Sequence, residues 1–136
     1  MYSEVDGDSA TMAMAIVMLS AIRNIPIRQD LAITGSMSQL GEAQPIVGLS
    51  EKIEGFWGIC KLRGLTGTQG VIFPKDNINS IFLSEEIARD VEEGRFHLYA
   101  VGDVYEAFEL MTGIPLKYLT HRTLLNKLLW FLKKSN

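Results

Sequence analysis

Residues 10 to 24 are apolar on nearly every side of a helical wheel, with Ala10, Ala13, Ala15 and Ala21 small enough to let neighbouring backbones come close. The pattern predicts a central, buried helix, ended by Asn24 and Pro26. Asp30 to Gly35 then reads as a short buried strand stopped by glycine, and Gly41, Pro45 and Gly48 punctuate a loop. From Leu49 the period returns to about 100° per residue: Leu49, Ile53, Phe56, Trp57 and Cys60 share one face, while Glu51, Glu54 and Lys61 point away. Val71-Ile72-Phe73 predicts a second buried strand, and Ser80-Ile81-Phe82-Leu83 another short one. A helix over residues 84 to 93 ends near Gly94. Phe96, Leu98 and Ala100 alternate with Arg95, His97 and Tyr99, the signature of a strand with one face buried. Asp103 caps a further helix that stops at Gly113.

The tail from Tyr118 to Lys134 carries Leu124, Leu125, Leu128, Leu129 and Leu132 at helical spacing. Residues 116–136 therefore read as an amphipathic helix that packs on the domain or forms an interface, with Trp130 the residue best suited to an interface role. Residues 1–115 form the domain proper. Helices alternating with short strands predict an α/β (α+β) fold.

At 136 residues, 47% hydrophobic and 21% charged, the composition is that of one soluble globular domain. A formal net charge of -3 provides no basic surface for phosphate backbones, so nucleic acid is not the expected partner. Cys60 is the only cysteine, which rules out an intramolecular disulfide and favours a reducing, cytoplasmic setting. Ser20 and Arg23 interrupt the one run approaching the roughly 18 apolar residues of a membrane span, and the first residues lack signal-peptide order. His97 and His121 are far apart, so neither a metal site nor a bound cofactor is expected in this domain.

The candidate chemistry begins at Val5-Asp6-Gly7-Asp8-Ser9-Ala10-Thr11, immediately before the first helix. Asp8 and Ser9 are both good N-cap residues, and a cap is the simplest role for either. A serine at a helix start is also a well-placed nucleophile, since amides of the first turn can stabilise an oxyanion. Glu4, Asp6 and Asp8 either tune that site or serve as ordinary helix-dipole partners. Neither histidine lies in a context that suggests a Ser-His-Asp triad, and His97 reads as a structural hydrogen-bonding residue. The base to consider is Lys52, flanking the apolar stripe one turn from Leu49 and Phe56. At the usual pKa of about 10.4, a lysine is neutral in only about one molecule in a thousand near pH 7.4. Serving as a base therefore requires desolvation worth two to three pKa units, or about 3 to 4 kcal/mol. A solvated lysine at a helix start is the ordinary alternative.

The residues around this pair resemble the proteolytic domain of Lon proteases, serine peptidases with a serine-lysine dyad. Asp6-Gly7-Asp8-Ser9-Ala10 is similar to the nucleophile motif of the B-type branch, and Ile33-Thr34-Gly35 to the strand after the nucleophile helix. Gln44-Pro45-Ile46-Val47-Gly48-Leu49-Ser50-Glu51-Lys52-Ile53-Glu54-Gly55-Phe56 resembles the lysine motif. Leu65 to Pro74, Glu93-Gly94-Arg95-Phe96-His97 and Leu110-Met111-Thr112-Gly113 complete a set running in order from Glu4 to Pro115.

The resemblance implies a Lon-type peptidase fold, ribosomal protein S5 domain 2-like, with short strands and packed helices. It implies Ser9 as nucleophile, Lys52 as general base and acid, and Thr34 as a partner orienting the lysine amine, with Asp8 in support. It further implies a homo-oligomeric, commonly hexameric, ring acting on unfolded polypeptides delivered by an AAA+ ATPase module. ATP and magnesium would bind that module, on the same or a partner chain. Two departures stand out. Val47 occupies a position where the family commonly has glycine, altering a close backbone approach, and the strands that normally precede the nucleophile are missing. The chain accordingly reads as the C-terminal, catalytic part of a longer protein. The departures also leave a contrary reading, a catalytically silent Lon-like domain that forms a ring or scaffold.

Overall fold

The computed structural model describes residues 10–114. In chain order these form helix α1 (Thr11–Arg23), strands β1 (Leu31–Ile33), β2 (Ser36–Met37) and β3 (Ala43–Gln44), and helix α2 (Leu49–Arg63). Strand β4 (Gly70–Pro74), a 3-10 helix (Lys75–Ser80), helix α3 (Glu85–Glu92), strand β5 (His97–Val101) and helix α4 (Val104–Thr112) come next. Asp8, Ser9 and the segment 116–136 lie outside the described residues.

The fold is α/β. Strands β1, β4 and β5 make a parallel sheet with β4 at its centre, and β2 pairs with β3 in a small antiparallel hairpin. Parallel strands need long crossovers, and helices supply them, so both faces of the sheet become covered. That is why β4 reads Gly-Val-Ile-Phe-Pro without alternation, and why all five residues are buried. On one face Leu31, Ile72 and Val101 pack with Met12, Ile16 and Leu19 of α1 and with Val104, Phe108 and Met111 of α4. On the other, Val71 and Phe73 pack with Leu49, Ile53 and Cys60 of α2, Ile87 of α3, and Phe96. Each fully buried side chain of this kind contributes about 1.5 to 3 kcal/mol.

Close approach dictates one residue of the sheet outright. A methyl group on Gly70 would press onto the backbone carbonyl of His97, which cannot withdraw without breaking the β4–β5 ladder. Helix ends obey local chemistry. The Ser84 hydroxyl accepts from the Ile87 amide, the Asp103 carboxylate accepts from the Glu106 amide, and Gly113 closes α4 at φ 77°.

Four expectations are corrected. The segment Ser80–Leu83 is not a strand: Ser80 ends the 3-10 helix, its hydroxyl donating to the Asn77 carbonyl, and the Phe82 amide goes to the Ser50 hydroxyl instead of a sheet neighbour. Strand β5 does not have one wet face. Phe96 and Leu98 pack on one side of the sheet and Tyr99 and Val101 on the other, while Ala100 is exposed, because helices cover both faces of a parallel sheet. The apolar α1 is not buried all round. Met12, Ala15, Ile16 and Leu19 face the core, whereas Met14 and Val17 are 61% and 55% exposed, because α1 lies on the outside of the sheet. The loop read between residues 35 and 49 contains the β2–β3 hairpin, two residues per strand and too short to show an alternating pattern.

Candidate active site

The site is built where β1 runs out. Its last residues lead into Thr34, whose amide donates to the Ile72 carbonyl (3.0 Å), continuing the β1–β4 ladder by one step. The side chain of Thr34 is consequently buried, at 8% exposure. Gly35 then turns the chain with φ 145°, and its carbonyl accepts from the Met12 amide at 3.1 Å, tying the end of β1 to the first turn of α1. A Cβ at Gly35 would stand 2.8 Å from both Met12 Cε and Pro74 Cγ, so any other residue at this junction is strained on space as well as on backbone conformation.

Lys52 comes from the opposite side. Gly48, at φ 75°, turns the chain into α2, and the Lys52 amide makes the first-turn bond to the Gly48 carbonyl (3.2 Å). Leu49 and Ile53, flanking Lys52 on the helix, are buried against β4, which leaves Lys52 half-buried beside the sheet. Its Nζ donates to Thr34 Oγ1 at 3.4 Å. The two side chains share a cleft of about 290 Å³ with Ala10, Ala13, Ala32, Ile33 and Val71. The walls are small or apolar, so a cation there has exchanged part of its hydration for the threonine hydroxyl.

The structure thus brings Lys52 and Thr34 together across eighteen positions of sequence, at a cleft that Ala10 also lines. The first helical residue of α1 is Thr11, and the capping position belongs to Ala10, with no side-chain cap. The Met12 amide is committed to Gly35, which removes it from the pool of oxyanion donors expected at this helix start. Val47, at the position where the resemblance expects glycine, is 68% exposed.

Other polar residues hold structure. His97 Nε2 donates to the Gly67 carbonyl at 2.7 Å, the structural bond expected of it. Sequence reasoning did not single out Asp90, whose side chain is 2% exposed and gathers three donors. Trp57 Nε1 lies 2.8 Å from Oδ2, Lys61 Nζ 3.4 Å from Oδ2, and Arg95 Nε 2.8 Å from Oδ1. The Trp57 indole, aided by Arg95 and then Lys61, holds the Asp90 carboxyl below the usual carboxylate range against the opposing effect of burial. The signal was a carboxylate at the apolar phase of α3, three residues after Ile87. Burial pushes the Cys60 thiol up, which makes it a poor source of thiolate. Among the described residues no group of His, Cys, Asp or Glu could hold a metal ion, and no helix is long and apolar enough to cross a membrane.

Comparison with known proteins meets this geometry. Residues 4–111 match the Lon protease (S16) C-terminal proteolytic domain. A Lon protease homolog of Escherichia coli (strain K12) is 51% identical over 113 residues, covering 83% of this chain and 19% of that protein. One from Haemophilus influenzae is 46% identical over 112 residues, covering 82% of this chain and 19% of the relative. The archaeal Lon protease of Thermococcus kodakarensis is 39% identical over 109 residues, 80% of this chain and 15% of the relative. The chain thus spans about a fifth or less of the length of these relatives. The match extends from before α1 nearly to the end of α4 and includes the Lys52–Thr34 cleft, and this chain belongs to the Lon protease proteolytic domain family.

Proposed function

We propose that this chain carries the catalytic residues of a serine endopeptidase, with Ser9 as nucleophile and Lys52 as general base and acid. The observation that carries the reading is the cleft itself. Lys52 Nζ meets a buried threonine hydroxyl there, and Ala10, the covalent neighbour of Ser9, lines the same space. In this mechanism Ser9 Oγ attacks the scissile carbonyl carbon while its proton passes to the Lys52 amine. The tetrahedral intermediate collapses as the C–N bond breaks, and Lys52 returns the proton to the leaving amine. Lys52 then takes a proton from water as its oxygen bonds to the acyl carbon, and returns that proton to Ser9 Oγ as the ester C–O bond breaks, releasing the acid product. Thr34 orients the amine through the 3.4 Å bond, and the charge of Asp8, next to Ser9 in the chain, tunes the local electrostatics.

Substrates in this reading are unfolded polypeptides, and the working assembly is a homo-oligomeric ring in the cytoplasm. An AAA+ ATPase module, on the same or a partner chain, feeds them using ATP and magnesium. The Lon family membership supports these assignments. Hydrolysis of a fluorogenic peptide and of unfolded casein tests them, with light scattering on the same samples to read assembly. Ser9→Ala and Lys52→Ala are each expected to lower turnover by about a thousandfold or more. Equal turnover by wild type and Ser9→Ala would sink the peptidase and leave the ring-forming scaffold standing.

A further inference from the structure

Two loops on opposite sides of β4 must be held in register for Lys52 to reach Thr34. The Thr34 side is held by β4 directly, through the Ile72 carbonyl. The Lys52 side is held by the turn into which β4 continues. Pro74 leads into the 3-10 helix, where Asn77 is 3% exposed. Its Oδ1 accepts from the Ile46 amide at 3.0 Å and its Nδ2 donates to the Ile46 carbonyl at 2.8 Å. A primary amide thereby pairs with both backbone groups of one residue, as a neighbouring strand would. Ser80 Oγ, 3.3 Å from Asn77 Nδ2, donates to the Asn77 carbonyl and steadies the turn. Four residues beyond Ile46, the Ser50 hydroxyl accepts from the Phe82 amide at 2.9 Å. The segment after β4 therefore grips the lysine-bearing chain on either side of the Gly48 turn, just before Lys52.

We infer that Asn77 is a positioning residue for the Lys52 amine, acting through the backbone of Ile46. β4 and its continuation then work as one ruler: Ile72 sets where Thr34 stands, and Asn77 sets where α2 begins. The Asn77 side chain does not approach the cleft, whose lining includes neither Asn77 nor Ile46. The consequence for chemistry rests on the peptidase reading above, whereas the consequence for geometry does not.

The test uses the full chain, by NMR. In the wild type the Ile46 amide is expected to be protected from hydrogen exchange, and a nuclear Overhauser contact is expected between the Lys52 ε-methylene and the Thr34 methyl. Asn77→Ala is expected to speed Ile46 exchange about tenfold or more and to weaken the Lys52–Thr34 contact, with β4 amides still protected. Ser80→Ala, which leaves both bonds to Ile46 in place, is expected to preserve the contact. Where hydrolysis is measured, Asn77→Ala lowers kcat with KM nearly unchanged. Rapid Ile46 exchange beside an undiminished Lys52–Thr34 contact would overturn the inference, as would unchanged Ile46 exchange. If Asn77→Ala loses β4 protection altogether, Asn77→Ser is read by the same two outcomes. Failure of Ser9→Ala to affect turnover bears on the peptidase alone and leaves the NMR result to decide the role of Asn77.

Discussion

Asp90 and Lys52 are both charged groups brought against the same helix and sheet, yet their surroundings differ in kind. The Asp90 carboxylate is 2% exposed and enclosed by an indole, a guanidinium and an ammonium, all side chains. The Lys52 amine stands at the margin of a cleft, beside the Thr34 hydroxyl and walls of small or apolar groups. Its setting is held through backbone groups, the Thr34 amide on Ile72, the Met12 amide on Gly35 and the Gly48 turn, with the Asn77 side chain fixing Ile46 just before that turn. A charge answered by donors on every side holds elements together, whereas a charge set at a cleft edge stays within reach of a bound molecule, as the proposed mechanism requires.

That contrast breaks most sharply under truncation. Asp90→Ala strands three donors that join α2, α3 and the start of β5, and it should cause the largest loss of stability of any single substitution considered for this domain, read as a fall in thermal midpoint. Lys52→Met should leave the midpoint nearly unchanged, within about 0.5 kcal/mol, while removing the peptide hydrolysis proposed above. Equal destabilisation by the two would erase the distinction. Next in size is Gly35→Ala, which forces φ 145° on an alanine and drives a methyl to 2.8 Å from Met12 Cε and Pro74 Cγ. Strain and overpacking together should cost roughly 2 to 4 kcal/mol, measured by urea denaturation. A neutral result would show that the cleft does not depend on its backbone junction.

The smallest effect is in acid. Arg28 holds the Asp30 carboxyl down to about 2, through a bidentate contact at 2.9 and 2.8 Å, and Asp90 is also depressed. A carboxylate with a lowered folded-state pKa stabilises fully above its unfolded value and loses that contribution as pH falls through the folded value. Stability should therefore decline from about pH 4 towards about pH 2. Asp30→Asn should flatten the decline slightly, since that pair is about one-third exposed and screened by water. Asp90→Asn should flatten it as well. Identical slopes in wild type and Asp90→Asn would deny the buried carboxylate its structural part.

The sequence carried much of this legibly. The helix cap at Asp103, the glycine stop at Gly113, and the buried strand Val71-Ile72-Phe73 were readable because each depends on neighbours along the chain. Lys52 and Thr34 could be named from an ordered resemblance of motifs. Their 3.4 Å approach could not be, because it depends on α2 and the end of β1 meeting beside β4. The same limit explains the errors. Ser80–Leu83 has strand-forming residues, but its hydrogen bonds go to Ser50 and within the turn, partners remote or hidden in a linear reading. β5 showed an alternation of apolar residues that the second layer of helices overrode.

What the sequence alone determined is the kind of domain and the residues available for chemistry, since hydrophobic period, capping chemistry and motif order are local properties of the chain. Only the tertiary structure decided that Lys52 faces Thr34, that Asp90 is a knot rather than a surface charge, and that Asn77 pairs with Ile46 as a strand would. Each of these is a polar contact between segments brought together by apolar packing. The packing fixes their distance, and the distance determines whether a polar side chain binds, bridges or reacts.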